Sequence, residues 1–262
     1  MFRILGVLAG FLILGILGSI LGFLLGGFID RFRTPGSGRM NAFSAARRQS
    51  VFLETVFTLM GKLAKVDGRV SETEIAHVEQ FMRKLGMTHD HRLKAIALFK
   101  RGASPMFDIK PKVAEFMTVC GYSGNLRQML LVYLIIMGMS DGRLNASEVQ
   151  LLKEIAGYLG YSRTSFDRLL DMVLNQTHFA GGQATSANAL EDAYKALGVS
   201  ERSSDREIKH AYRKLMSQYH PDKLMGQGLP EEMISVATEQ AKEVQAAYDL
   251  IKKHREQSRA TA

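Results

Sequence analysis

The sequence predicts an all-α protein with three parts: a single N-terminal membrane-spanning helix, a helical bundle and a C-terminal domain built on a helical hairpin. Three observations carry this prediction. Residues 4–29 form a run of 26 residues without a charge. Beyond it, to about residue 178, apolar residues recur at helical spacing, as in Phe52, Val56, Leu59 and Leu63 and again in Ile75, Val78, Met82 and Leu85, with no alternating strand pattern of useful length. The remaining C-terminal residues divide into helices whose start and stop signals can be assigned residue by residue.

Composition narrows the function classes. A chain of 262 residues with 46% hydrophobic and 23% charged residues is neither disordered nor fibrous. Its one cysteine, Cys120, excludes a disulfide framework and a cysteine-built zinc site, since each needs at least two thiols. Lys and Arg number 34 against 26 Asp and Glu, so an acidic partner is favoured: nucleic acid, an anionic membrane surface or an acidic protein face. Placement decides among these. Arg31, Arg33, Arg39, Arg47 and Arg48 follow the apolar run, where anionic lipid headgroups favour them, and nucleic acid is not required.

The apolar run, bracketed by Arg3 and by Asp30 and Arg31, would make about 39 Å of helix, enough to cross a hydrocarbon core of about 30 Å. A cleaved signal peptide would have a shorter apolar region and a small-x-small site, so residues 1–30 are expected to be a retained anchor. The basic C-terminal flank places the bulk of the chain in the cytoplasm and the N-terminus in the periplasm. Gly18, Gly22 and Gly26 continue an i, i+4 ridge begun by Gly6 and Gly10, along which two helices could approach closely, so a homodimer through the membrane helix is expected.

A basic juxtamembrane linker, residues 31–44, leads into a bundle over residues 45–178. Residues 129–137 are apolar throughout and too few to cross a bilayer, which marks a buried central helix. At an offset of 74 the bundle aligns with itself: Asp67-Gly68-Arg69 falls on Asp141-Gly142-Arg143, Glu74 on Glu148, and Leu85-Gly86 on Leu159-Gly160, six identities in 22 positions. One reading of this duplication is structural, with Asp-Gly making the turn, Ser71 or Asn145 capping the next helix, and Glu74 or Glu148 completing a capping box. The other is functional, with Asp67, Glu74, Asp141 and Glu148 converging as oxygen ligands for a divalent cation, although the alternating calcium-loop pattern is absent. The region resembles the TerB-like helical domains, which have a similar duplicated acidic-turn arrangement and are suspected of binding metal or protein. No hydrolase, P-loop or zincin motif occurs, and no enzymatic activity or cofactor is expected. Cys120 reads as a small core residue, and His89 and His91 as solvated loop residues.

A linker rich in Gly, Ser, Ala and Thr, residues 179–188, precedes the final domain, residues 189–258. Gly198 stops a short helix from Leu190 to Leu197. Ser204 with Glu207 forms a capping box that opens a second helix, and Pro221 ends it near Tyr219. A last long helix covers about residues 230–253, and Leu224 to Met233 reads as a loop. His220-Pro221-Asp222 sits between two helices, in the context Ile208-Lys209-His210-Ala211-Tyr212-Arg213-Lys214-Leu215 before it, Lys223 after it and Ala246-Ala247-Tyr248-Asp249-Leu250-Ile251 in the last helix. This pattern is similar to a J-domain, the module by which DnaJ-type co-chaperones engage a DnaK-family ATPase. The resemblance implies that His220, Pro221 and Asp222 contact DnaK and that Lys209, Arg213 and Lys214 supply a basic face. The Gly/Phe-rich stretch and the repeated Cys-x-x-Cys zinc domain of full DnaJ proteins are absent.

Anchor, TerB-like bundle and J-domain in this order resemble the membrane-anchored DnaJ-like proteins of Gram-negative bacteria. The resemblance implies a co-chaperone of the bacterial inner membrane that recruits DnaK and stimulates its ATPase at the cytoplasmic face. Links to envelope-stress phosphorelay signalling and capsule synthesis, and a client or signalling protein of unknown identity, are implied with it. A membrane scaffold or a divalent-metal-responsive sensor built on the acidic repeat is the alternative.

Overall fold

The computed structural model describes residues 37–66, 78–83, 85–139, 143–180 and 189–260. The expected anchor with Gly18, Gly22 and Gly26, the linker residues 181–188, and Asp67, Glu74 and Asp141 lie outside the described residues. Among the described residues every regular element is helical, and no helix is long and apolar enough to cross a membrane. The chain divides into two compact units, residues 1–46 and 47–262.

The bundle is built from α1 (Ser37–Ala64), a helical segment over residues 78–83, α2 (His89–Gly102), α3 (Ile109–Val119), α4 (Gly124–Gly138), α5 (Ala146–Tyr158) and α6 (Arg163–Ala180). Short polar residues start most of these helices by accepting a backbone N–H. Thr88 opens α2, Asp108 opens α3 and Ser123 opens α4. Asn145 opens α5 in a full capping box, with Glu148 accepting from the Asn145 N–H at 2.8 Å.

From Met129 onward the central helix α4 is apolar on all sides, and Met129 to Ile135 are buried without exception. A helix of that kind must be covered all round. Phe52 of α1 and Phe81 set their rings edge-on to Tyr133, with centroids 6.2 and 6.1 Å away. α5 and α6 pack along α4, and part of its remaining surface is closed by the C-terminal domain.

Two turns 74 residues apart close alike. Gly86 and Gly160 both adopt left-handed backbone, with φ of 67° and 84°. The Met87 N–H then bonds to the Met82 carbonyl at 3.2 Å, and the Tyr161 N–H to the Ala156 carbonyl at 2.9 Å. Thr88 and Ser162 each cap the helix that follows.

The C-terminal domain contains α7 (Ala189–Ala196), α8 (Asp205–Gln218), α9 (Pro221–Gln227), a 3₁₀ turn (Glu231–Met233) and α10 (Ile234–Ala260). Leu224 to Met233, which the sequence reads as a loop, is the second half of α9, a left-handed Gly228 and the 3₁₀ turn. The physical reason is burial: Leu224, Leu229 and Met233 are each fully enclosed, and a helical turn satisfies the backbone polar groups that go in with them. Despite the linker, this domain shares one core with the bundle. α6 packs against both α7 and α10, and buried Gln176 of α6 donates to the Ala196 carbonyl at 3.0 Å. His89 and His91, read as solvated loop residues, both lie in α2; His89 is exposed, and His91 sets its Nδ1 2.8 Å from a carboxylate oxygen of Glu232.

Cys120 is buried at the end of α3, its Sγ 3.6 Å from the Arg48 carbonyl oxygen. Burial pushes its thiol up to about 11, against a smaller downward pull from Arg48. The thiolate form is therefore scarce at neutral pH, as suits a core residue.

Candidate functional site

The exposed surface around His220 is assembled by α8, α9 and α10. Helix α8 begins at Ser204, whose Oγ accepts the Glu207 N–H at 3.3 Å while the Glu207 carboxylate accepts the Ser204 N–H at 2.7 Å. The Ser204 backbone and hydroxyl donors hold the Glu207 carboxyl below its ordinary value. A depressed folded-state value means that the cap is fully stabilising at neutral pH and is lost as pH falls through the carboxylate range. Ser204→Ala is expected to cost about 1 kcal/mol of stability at pH 7. Glu207→Gln is expected to lower the melting temperature at pH 7 and to make its decline toward pH 3 shallower, which thermal denaturation across pH will check.

One face of α8 is internal. Ile208 and Leu215 are buried, and the Tyr212 ring stacks on Tyr248 of α10 with centroids 4.2 Å apart and planes 17° from parallel. The outward face carries Lys209, Arg213 and Lys214, all exposed. At about 100° per residue Lys209 and Arg213 lie on one ridge and Lys214 stands further round. Among the described residues none of these three cations forms an ion pair. Arg255 and Arg259 of α10 differ, since both bind Asp205, the former at 2.7 Å, and Arg255 also donates to the Tyr194 hydroxyl at 2.9 Å. The domain thus neutralises the arginines it uses structurally and leaves the charge of the α8 face uncompensated.

His220 is the residue at which the chain leaves one helix and enters the next. Tyr219 before it is fully buried and anchors the end of α8. His220 has φ −64° and ψ 120°, the extended geometry required ahead of proline, and its imidazole makes no capping hydrogen bond. Pro221 takes the first position of α9, where its missing N–H costs nothing. Asp222 follows in the first turn, where a negative charge is favoured by the helix dipole, and remains exposed. A shallow depression is lined by Met216, Ser217, His220, Asp222 and Lys223, with Lys223 donating to the Ser217 hydroxyl at 2.9 Å. The structure therefore brings His220, Pro221 and Asp222 together with the exposed face of α8 within one domain. Ser217 and Met216 are additions that the sequence motif did not single out, because only the return of the chain past Pro221 sets them beside His220.

Of the four acidic residues of the repeat only Glu148 is described, and it is engaged in the α5 capping box. Among the described residues no group of three or more His, Cys, Asp or Glu is placed to hold a metal ion.

Comparison with known proteins agrees with this architecture. Residues 53–171 match the family described as tellurite resistance protein TerB, and residues 192–260 match the DnaJ domain. The chain is 39% identical to the co-chaperone protein DjlA of Shewanella oneidensis, over 85% of this chain and 86% of that one. The chain belongs to the DjlA co-chaperone family. It is also 38% identical to DjlA of Escherichia coli K12 and of Salmonella typhimurium, covering 92% of each chain in both pairs. No solved structure matches. Within this DjlA-family chain the whole surface around His220 lies inside the DnaJ match. Arg48 and Gln176, which the fold places against the C-terminal domain, lie outside the TerB match at either end.

Proposed function

We propose that this protein is a membrane-anchored J-domain co-chaperone that recruits a DnaK-family ATPase and stimulates its hydrolysis of ATP at the cytoplasmic face of the inner membrane. The observation that carries the reading is the pairing of exposed, internally unused His220 and Asp222, either side of a half-buried Pro221, with an uncompensated basic face on the helix before them. Charges left unpaired beside a rigid, solvent-facing loop suit an acidic protein partner, because they raise encounter rate and fix orientation without first breaking internal ion pairs. In this reading the hydrolytic chemistry belongs to the partner, and this chain contributes only the contact surface. By binding the partner better in one conformation, the domain shifts it toward the ADP state that holds clients tightly.

The apolar residues 4–29 and the arginines after them supply the anchor, which confines recruitment to the membrane and raises the local concentration of partners there. The bundle selects the client or signalling protein served, and the family's link to envelope-stress phosphorelay signalling and capsule synthesis is carried with this role. The direct test is single-turnover ATP hydrolysis by DnaK with the full chain in lipid nanodiscs. Stimulation that saturates with added co-chaperone supports the reading, and its absence refutes it. Self-association through the glycine ridge is tested separately. Replacing Gly18, Gly22 and Gly26 with Leu is expected to weaken dimerisation in detergent by at least about tenfold; unchanged association, measured by analytical ultracentrifugation, would discard the ridge.

A further inference from the structure

Helix α9 has two differently treated ends. Its N-terminal end carries His220 and Asp222 into solvent, with Pro221 half-buried between them. Its C-terminal end is built into the bundle through Gln227. The Gln227 carbonyl accepts from Arg48 Nε at 3.1 Å and from the Tyr122 hydroxyl at 3.3 Å, and its side-chain Oε1 accepts from Ser123 Oγ at 3.0 Å. All three donors belong to the bundle, at α1 and at the entry to α4. Gly228 follows with φ of 110°, and a Cβ there would lie 2.7 Å from the Arg48 Cβ, so only a glycine lets the chain pass Arg48 this closely. Just beyond, the Tyr133 hydroxyl donates to the Met233 carbonyl, joining the 3₁₀ turn to the middle of α4.

A seven-residue helix is about 10 Å long and does not bend on its own, so whatever orients Gln227 orients His220. Docking also leaves Lys209, Arg213, Lys214, His220 and Asp222 exposed. The docked arrangement is therefore open to a partner, and an autoinhibitory role for the contact does not fit it.

We propose that Gln227, gripped by Arg48, Tyr122 and Ser123, is a positioning residue through which the bundle sets the aim of the His220-Pro221-Asp222 loop toward the chaperone. The proposal rests on the co-chaperone reading above. Without the grip, α9 would sample other orientations, and binding would bear the cost of ordering it, so the loss falls on affinity and spares the stimulated rate at saturation.

The test uses the full chain in nanodiscs and DnaK single-turnover hydrolysis titrated with co-chaperone, comparing wild type, Gln227→Ala, and Arg48→Ala combined with Gln227→Ala. The double variant is expected to need roughly tenfold more protein for half-maximal stimulation, with an unchanged maximum, and to show faster amide exchange over residues 220–228. Arg48→Lys, which keeps a donor within reach of the Gln227 carbonyl, is expected to recover most of the loss. A melting temperature that falls while the half-maximal concentration stays at the wild-type value would reduce the contact to a structural one and overturn the proposal. Gln227→Ala alone removes only the Ser123 bond, keeps the fold, and is expected to show a smaller shift in the same direction; no shift in either variant is equally fatal. A wild type without stimulation would instead overturn the co-chaperone reading itself.

Discussion

His220→Gln is expected to raise the concentration needed for half-maximal stimulation of DnaK at least about thirtyfold while leaving the stability of the protein within about 0.5 kcal/mol of wild type. The two halves of this expectation have separate causes. His220 is exposed, caps nothing with its side chain, and holds a backbone geometry that any residue before proline adopts. Nothing in the fold depends on an imidazole there. Glutamine matches its approximate size but not the flat ring whose two nitrogens stand on opposite edges, so a partner contact built on that shape is lost. A contact at the centre of a small interface commonly contributes ~2 kcal/mol or more, which is at least about thirtyfold in the concentration needed for half-maximal stimulation. Single-turnover hydrolysis and thermal denaturation of the same two preparations measure both halves. A His220→Gln variant that stimulates like wild type would remove the motif from the mechanism.

The largest effect on stability is expected from Gly61→Ala or Gly102→Ala. α1 and α2 cross at these two glycines, each pressed on a backbone carbonyl of the other helix. A Cβ at Gly61 would fall 2.0 Å from the Phe99 oxygen, and one at Gly102 would fall 1.8 Å from the Thr58 oxygen. A carbonyl held by the helix's own hydrogen bonding, as Phe99 is by the Ala103 N–H at 2.9 Å, does not rotate away freely, so the helices must separate, and the buried side chains around the crossing lose contact with them. Overpacking of this kind costs about 3 kcal/mol, partly offset by about 1 kcal/mol from the better helix propensity of alanine. A net loss near 2 kcal/mol corresponds to a melting temperature lower by about 4–8 °C in a protein of this size. Gly157→Ala is the control. It lies in helix α5, exposed, with nothing within 4 Å of the added Cβ, and the same substitution there is expected to be neutral or slightly stabilising. If Gly102→Ala melts no lower than Gly157→Ala, the close crossing is not what holds α1 against α2.

The two kinds of prediction differ in how far the sequence alone could have reached them. The start of α8 was legible because a capping box is local: Ser204 and Glu207 sit three residues apart and satisfy each other's backbone donors before any tertiary contact forms. The end of α8 was legible for the same kind of reason, since Pro221 excludes helical geometry at His220. The buried α4 could be read from nine apolar residues in a row, which have no face to offer water. Leu224 to Met233 was misread because Gly226, Gly228 and Pro230 are turn residues by local rule, whereas Leu224, Leu229 and Met233 are drawn into helical turns by a core that other segments supply. His89 and His91 lie in the first turn of α2 rather than in a loop, and the meeting of His91 with Glu232 was out of reach of local reading because 141 positions separate them.

By itself, the sequence determined the helices, their caps, the motif at residues 220–222 and the family, because each depends on residues within a few positions of one another or on a pattern carried whole. Only the tertiary structure decided that the C-terminal domain shares a core with the bundle, that α1 and α2 meet glycine to carbonyl, and that Gln227 is gripped by Arg48, Tyr122 and Ser123. A glycine in a helix looks the same whether it faces water or a neighbouring backbone, and a backbone carbonyl has no letter in the sequence. The difference lies in which distant surfaces the hydrophobic effect brings together, and that is settled by the whole chain at once.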